Sequence, residues 1–91
     1  MARGRRVTDV QRRRRVAPLI AVWRQRLQLN HWSVAYRFAS NLEDNGGRPV
    51  FAEVNITHPY KRAFIQLSRS CVDAAPAQEL EHAIVHELCH L

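Results

Sequence analysis

The chain is short of the residues that mark several classes of protein. Three glycines and four prolines in 91 residues exclude a collagen-like or low-complexity chain. Two cysteines, Cys71 and Cys89, cannot make the disulfide framework of a small secreted domain, so a reducing, cytoplasmic setting is expected. No apolar run approaches the roughly 20 residues that span a bilayer, and no membrane partner is expected. The apolar stretch Val16 to Trp23 is broken by Pro18 and leads into Arg24 and Arg26 without a small-residue cleavage site, so we read no export signal. The length sits at the lower edge of domain sizes, and such a chain buries only about 60–65 % of its unfolded surface.

What is present points to a folded domain. The chain is 46 % hydrophobic, too apolar for a disordered one. Its net charge of +6 is unevenly placed. Residues 1–15 hold seven arginines (Arg3, Arg5, Arg6 and Arg12 to Arg15) against Asp9, and residues 16–91 are balanced. We expect a basic, disordered arm over 1–15 and a domain over 16–91. Such an arm could contact DNA or RNA through residues 3–15, with steep salt dependence; a solvated tail is the plainer alternative.

Hydrophobic periodicity supplies the elements. Thr8 and Gln11 have capping-box spacing for a short helix, and Pro18 fits the first turn of a new one. Ile20, Trp23 and Leu27 recur at helical spacing over 19–29, up to Asn30-His31. Trp32, Val34, Tyr36 and Phe38 alternate with Ser33, Ala35 and Arg37, which predicts a strand. Asn45-Gly46-Gly47 is turn chemistry. Val50, Ala52, Val54 and Ile56 predict a second strand, and Ala63, Ile65 and Leu67 a third, after a turn at His58 to Lys61. Short connections favour an antiparallel meander. Leu80, Ile84, Leu88 and Leu91 predict a last helix from Ala77. The expected class is α+β: an N-terminal helix, a three-stranded antiparallel meander and a C-terminal helix.

That last helix contains His86-Glu87-Leu88-Cys89-His90, an H-E-x-x-H motif. Residues four apart stack on one helix face, so two imidazoles can reach one ion. Zinc takes imidazole nitrogen readily and, in catalytic sites, three protein ligands and an open position. It lowers the pKa of a bound water towards about 7, and the glutamate beside the first histidine can take that proton. With His86 at zero on a wheel of about 100° per residue, His90 falls near 40° and Glu87 near 100°. Leu80, Ile84, Leu88 and Leu91 fall between about 120° and 200° on that wheel. The metal face and the packing face are thus distinct. His82 makes a competing pair with His86, but 82 and 90 are about 12 Å apart along the axis, too far for one ion. We take His86 and His90 as the zinc ligands and Glu87 as the general base. His82 is then a surface or supporting residue, Glu79 a poor third ligand, and Cys89 a half-buried thiol. Tyr60, His58 and Arg62 could stabilise an oxyanion, with an exposed turn as the plainer alternative.

The segment Glu79 to Leu91, with its H-E-x-x-H, resembles the active-site helix of small bacterial and phage-type metallopeptidases of the zincin class, of the SprT-like kind. Trp23 to Phe38 is similar to their entry from helix to first strand, and Ala63 to Leu67 to the strand before the helix. The resemblance covers about residues 19–91. It implies a zinc-dependent peptidase acting on a peptide or protein substrate, with an edge strand that holds an extended peptide by β-augmentation. It also implies a third ligand, His or Glu, after the motif helix. Only Leu91 follows His90, so the expectation is an N-terminal fragment that binds zinc weakly and catalyses poorly. The alternatives are a degenerate relative with a dead zinc site, or a nucleic-acid-associated protein working through its arginines.

Overall fold

The computed structural model describes residues 7–57 and 59–91. Helix α1 spans Asp9–Arg26. Strands β1 (Ser33–Ala39), β2 (Ala52–Thr57) and β3 (Arg62–Ser68) follow, then the short helix α2 (Arg69–Ala74) and α3 (Ala77–Leu88). The fold is α+β, with the helices on one face of a three-stranded sheet.

The expected arm is corrected from Asp9 onward. Thr8 and Gln11 form a reciprocal capping box, which satisfies two backbone donors at the helix start. The helix then runs through residues 9–15 and across Pro18. Proline lacks the N–H that would bond four residues back, but Pro18 and Arg14 are exposed, so water can satisfy the freed carbonyl. Val16 and Ile20, one turn apart, are both buried in the core and hold the helix together across the gap. Pro18 therefore lies inside α1 rather than opening a new helix. The expected boundary between 15 and 16 falls within this helix. Residues 1–6 of the arm lie outside the described residues.

Helix α1 stops earlier than Asn30-His31 predicts. Gln28 takes the left-handed conformation (φ 58°). Leu29 N–H donates to the Arg24 carbonyl and Gln28 N–H to Gln25, which closes the last turn. Arg24 then donates to the carbonyls of Leu29, Asn30 and Trp32 and ties the turn to the start of β1.

The expected meander is also corrected. The strand order is β1-β3-β2, with β1 parallel to β3 and β2 antiparallel to it. The physical reason is burial. Ala63, Ile65 and Leu67 of β3 are 3 %, 0 % and 0 % exposed, so the most apolar strand takes the centre. The long connection over 40–51 lets the chain pass β3's position and return along the far edge. One face of the sheet, built from Val34, Tyr36, Phe38, Ala52, Val54, Ile65 and Leu67, packs on Val16, Ile20, Leu80, Ile84 and Leu88.

Candidate metal centre

Helix α3 separates its two faces as the wheel predicts. Leu80, Ile84 and Leu88 are buried, while His82, His86 and His90 are exposed. The helix is positioned by α1: Trp23 Nε1 donates to Glu81 Oε2 at 2.8 Å, and the Arg26 guanidinium stacks on the Trp23 ring at 4.8 Å. Trp23 is thus more than the core residue its apolar ring suggests. Its indole nitrogen joins the two helices.

His86, Glu87 and His90 come together, with one possible ligand atom from each within 4.8 Å of the others. Although α3 ends at Leu88, Cys89 keeps helical dihedrals, so His90 stays one turn above His86. The two imidazole rings are 5.0 Å apart between centroids and nearly perpendicular. His86 Nε2 lies 3.9 Å from Glu87 Oε2, a contact and not a hydrogen bond. No hydrogen bond from a described residue fixes either imidazole. Zinc would need their nitrogens roughly 3.4 Å apart in a tetrahedral site. The side chain of His86 is 63 % exposed, which leaves it room to rotate towards that distance. The two imidazoles suit a divalent transition metal such as zinc, and with Glu87 kept as base the described residues bring no third ligand to the group.

Glu87 is the exception on this face, at only 8 % exposed. Burial pushes its carboxyl above the ordinary range; the neighbouring imidazoles His86 and His90 pull it down, and Glu53 pushes it up. Glu53 was not among the residues singled out from the sequence. Alternation places it on the polar side of β2, but only the strand order reveals that β2 is the edge strand beside α3. A cleft of about 440 Å³ runs between the two, lined by Ala52, Glu53, Val54, Ile56, His86, Glu87 and His90.

The other candidates fall outside the group. His82 and Glu79 line a neighbouring, more apolar groove with Phe51 and Ala83, which reaches the site only at His86. Cys89 is exposed, not half-buried, and does not join the cluster. Tyr60 is 71 % exposed, and neither it nor Arg62 lines the cleft. His58 lies outside the described residues. The run Arg12 to Arg15 is partly used by the fold. Arg12 donates to Asp73 and Asp9, and Arg15 to the carbonyls of Val72 and Ala75. Arg13 and Arg14 are exposed. Among the described residues no helix is long and apolar enough to cross a membrane.

No family model, curated protein or solved structure matches the chain.

Proposed function

We propose that the protein is a zinc-dependent peptidase in which His86 and His90 hold the metal and Glu87 is the general base, with no third ligand beside them among the described residues. The observation that carries this reading is the convergence of His86, Glu87 and His90 at a cleft walled by an edge strand. Bound zinc would supply Lewis-acid polarisation of the scissile carbonyl and an acidified water. The rest falls to the protein. The free edge of β2 offers backbone N–H and C=O groups to an extended peptide, which would lie as a further strand across the histidines. The buried Glu87 carboxylate accepts the proton of the attacking water and returns it to the leaving amine. Its raised pKa brings it closer to that task than a solvated carboxylate would be. Glu87 is not counted as a ligand, because a carboxylate spent on the metal could not serve as base.

Zinc affinity by chelator competition and hydrolysis of quenched fluorescent peptides test this reading together. Glu87→Gln is expected to leave zinc affinity within a few-fold and to lower hydrolysis by about 10²–10⁴. His90→Ala is expected to weaken zinc binding at least tenfold. Full hydrolysis by Glu87→Gln overturns the role of Glu87, and unchanged zinc affinity in His90→Ala overturns the metal site.

A further inference from the structure

The face of the sheet turned away from the helices has a pattern of its own. The register sets its side chains in three rows: Ser33, Arg62 and Thr57; Ala35, Phe64 and Asn55; Arg37, Gln66 and Glu53. None of these belongs to the hydrophobic core or packs against it. Phe64 sits at the centre, half-buried, between the small Ala35 and the amide Asn55. The Arg37 guanidinium lies 5.7 Å from its ring centroid. In the turn at one end, Tyr60 is 71 % exposed, with the Arg62 guanidinium 5.8 Å from its ring. A shallow depression of about 270 Å³ lies around Phe64, with Ser33, Asn55, Thr57 and Arg62 on its walls.

We infer that this face is a binding platform for single-stranded nucleic acid. The half-buried Phe64 ring and the exposed Tyr60 ring each have an arginine guanidinium over them; moving that cation to a phosphate opens the ring to a stacked base. Arg37 and Arg62 lie in the rows on either side of Phe64, about 7 Å away along the strands. With Lys61 in the turn, the cations outnumber the one acid of the rows, Glu53, so the face complements a polyanion. Asn55, Gln66, Thr57 and Ser33 offer hydrogen bonds to base edges around the central ring. A duplex hides the faces of its bases and could use only the cations. An acidic peptide would have no use for an aromatic centre. This face shares Glu53 with the wall of the metal cleft but none of its aromatic or cationic groups, and it lies away from the arginines of α1.

Fluorescence anisotropy with a labelled twelve-nucleotide oligo(dT), and with a duplex of the same length, tests the platform. The single strand is expected to bind more tightly than the duplex. Phe64→Leu keeps an apolar side chain, loses the π-face and should weaken binding roughly tenfold. Tyr60→Ser, in an exposed turn where the core cannot be disturbed, should weaken it roughly fivefold. Replacing Arg37 and Arg62 together by Gln should lower the slope of log affinity against log salt by about 1.4. The proposal is overturned if oligo(dT) does not bind, or if the duplex binds equally well. Unchanged affinity in both aromatic variants also overturns it. So does loss of binding in an Arg13→Gln, Arg14→Gln variant with the face intact, or equal displacement of the oligonucleotide by polyglutamate.

Discussion

The two ends of the chain are its most conspicuous stretches of sequence, and the fold treats them in opposite ways. At the start, an arginine run that looks like a solvated tail is partly drawn into the structure. Arg12 is 9 % exposed and held by two aspartates. At the end, the reactive groups of a motif are left open: the His86 side chain is 63 % exposed, and no protein hydrogen bond from a described residue holds it. The difference follows from partners. Asp9, Asp73 and Arg69 lie where Arg12 can reach them or share its partners, and Arg69 also donates to both oxygens of Asp9. His86 and His90 face only a cleft. Charge density alone does not say whether a residue serves the fold or a ligand; the groups within reach decide.

The sharpest contrast lies within α3 itself. Ile84 is 0 % exposed, and Ile84→Ala is expected to cost about 3 kcal/mol, from lost burial and the cavity left behind. In a domain of this size that lowers the melting midpoint by more than about 10 °C. His86→Ala, two residues on, is expected to change stability by less than about 0.5 kcal/mol. Denaturant titration of both variants checks the pair. If His86→Ala destabilised as much as Ile84→Ala, the imidazole would be a structural group and the two faces of the helix would not be distinct.

Within α1, Arg12→Ala should cost about 2 kcal/mol. Removing one partner of a buried ion pair costs more, about 3–5 kcal/mol, but Asp73 and Asp9 are 28 % and 41 % exposed, and solvent screens part of the loss. Arg13→Ala, one residue on and exposed, should fall within about 0.5 kcal/mol of the parent. Equal effects in thermal melts would return the whole run to the status of a solvated tail.

The parts of this arrangement that were legible from sequence are the local ones. Thr8 and Gln11 announce a helix start three residues apart. The leucine and histidine stripes of α3 announce two faces, because both are read within one helix. The strand order was not legible. Val34, Val54 and Ile65 all alternate equally well, and nothing local says that β3 takes the centre. The full burial of Ile65 and Leu67 on folding decides it. Glu53 was hidden for the same reason, since its place beside Glu87 depends on β2 being the edge. The continuation of α1 through Pro18 was missed because propensity counts the lost hydrogen bond but not the burial of Val16 and Ile20 on either side.

A smaller effect separates a carboxylate that is enclosed from one that is paired. Burial raises the Glu87 carboxyl in the folded protein, so folding favours its neutral form. Its contribution is therefore best below the ordinary carboxylate pKa and is lost as pH rises through the folded value. In metal-free protein, Glu87→Gln should melt at a higher temperature than the parent at pH 7 and at nearly the same temperature at pH 4. A variant less stable at pH 7 would mean that the negative charge is held by a partner, as the arginine network holds Asp9.

Asp9 gives the opposite sign and the smallest effect. Hydrogen bonds from Arg69 and then Arg12 lower its carboxyl from 3.8 to about 2. Its stabilising contribution is fully present above the unfolded value and is lost as pH falls through the folded one. The gap in melting temperature between the parent and Asp9→Asn should be constant from pH 7 down to about 5 and close between pH 4 and 2. Because the Asp9 side chain is 41 % exposed, molar salt should narrow the gap at every pH. If Asp9→Asn melts like the parent throughout, Arg12 is held by Asp73 alone. The capping box would then be what keeps the first turn of α1 in place, and the charge run would matter to the fold at one arginine, not along its length.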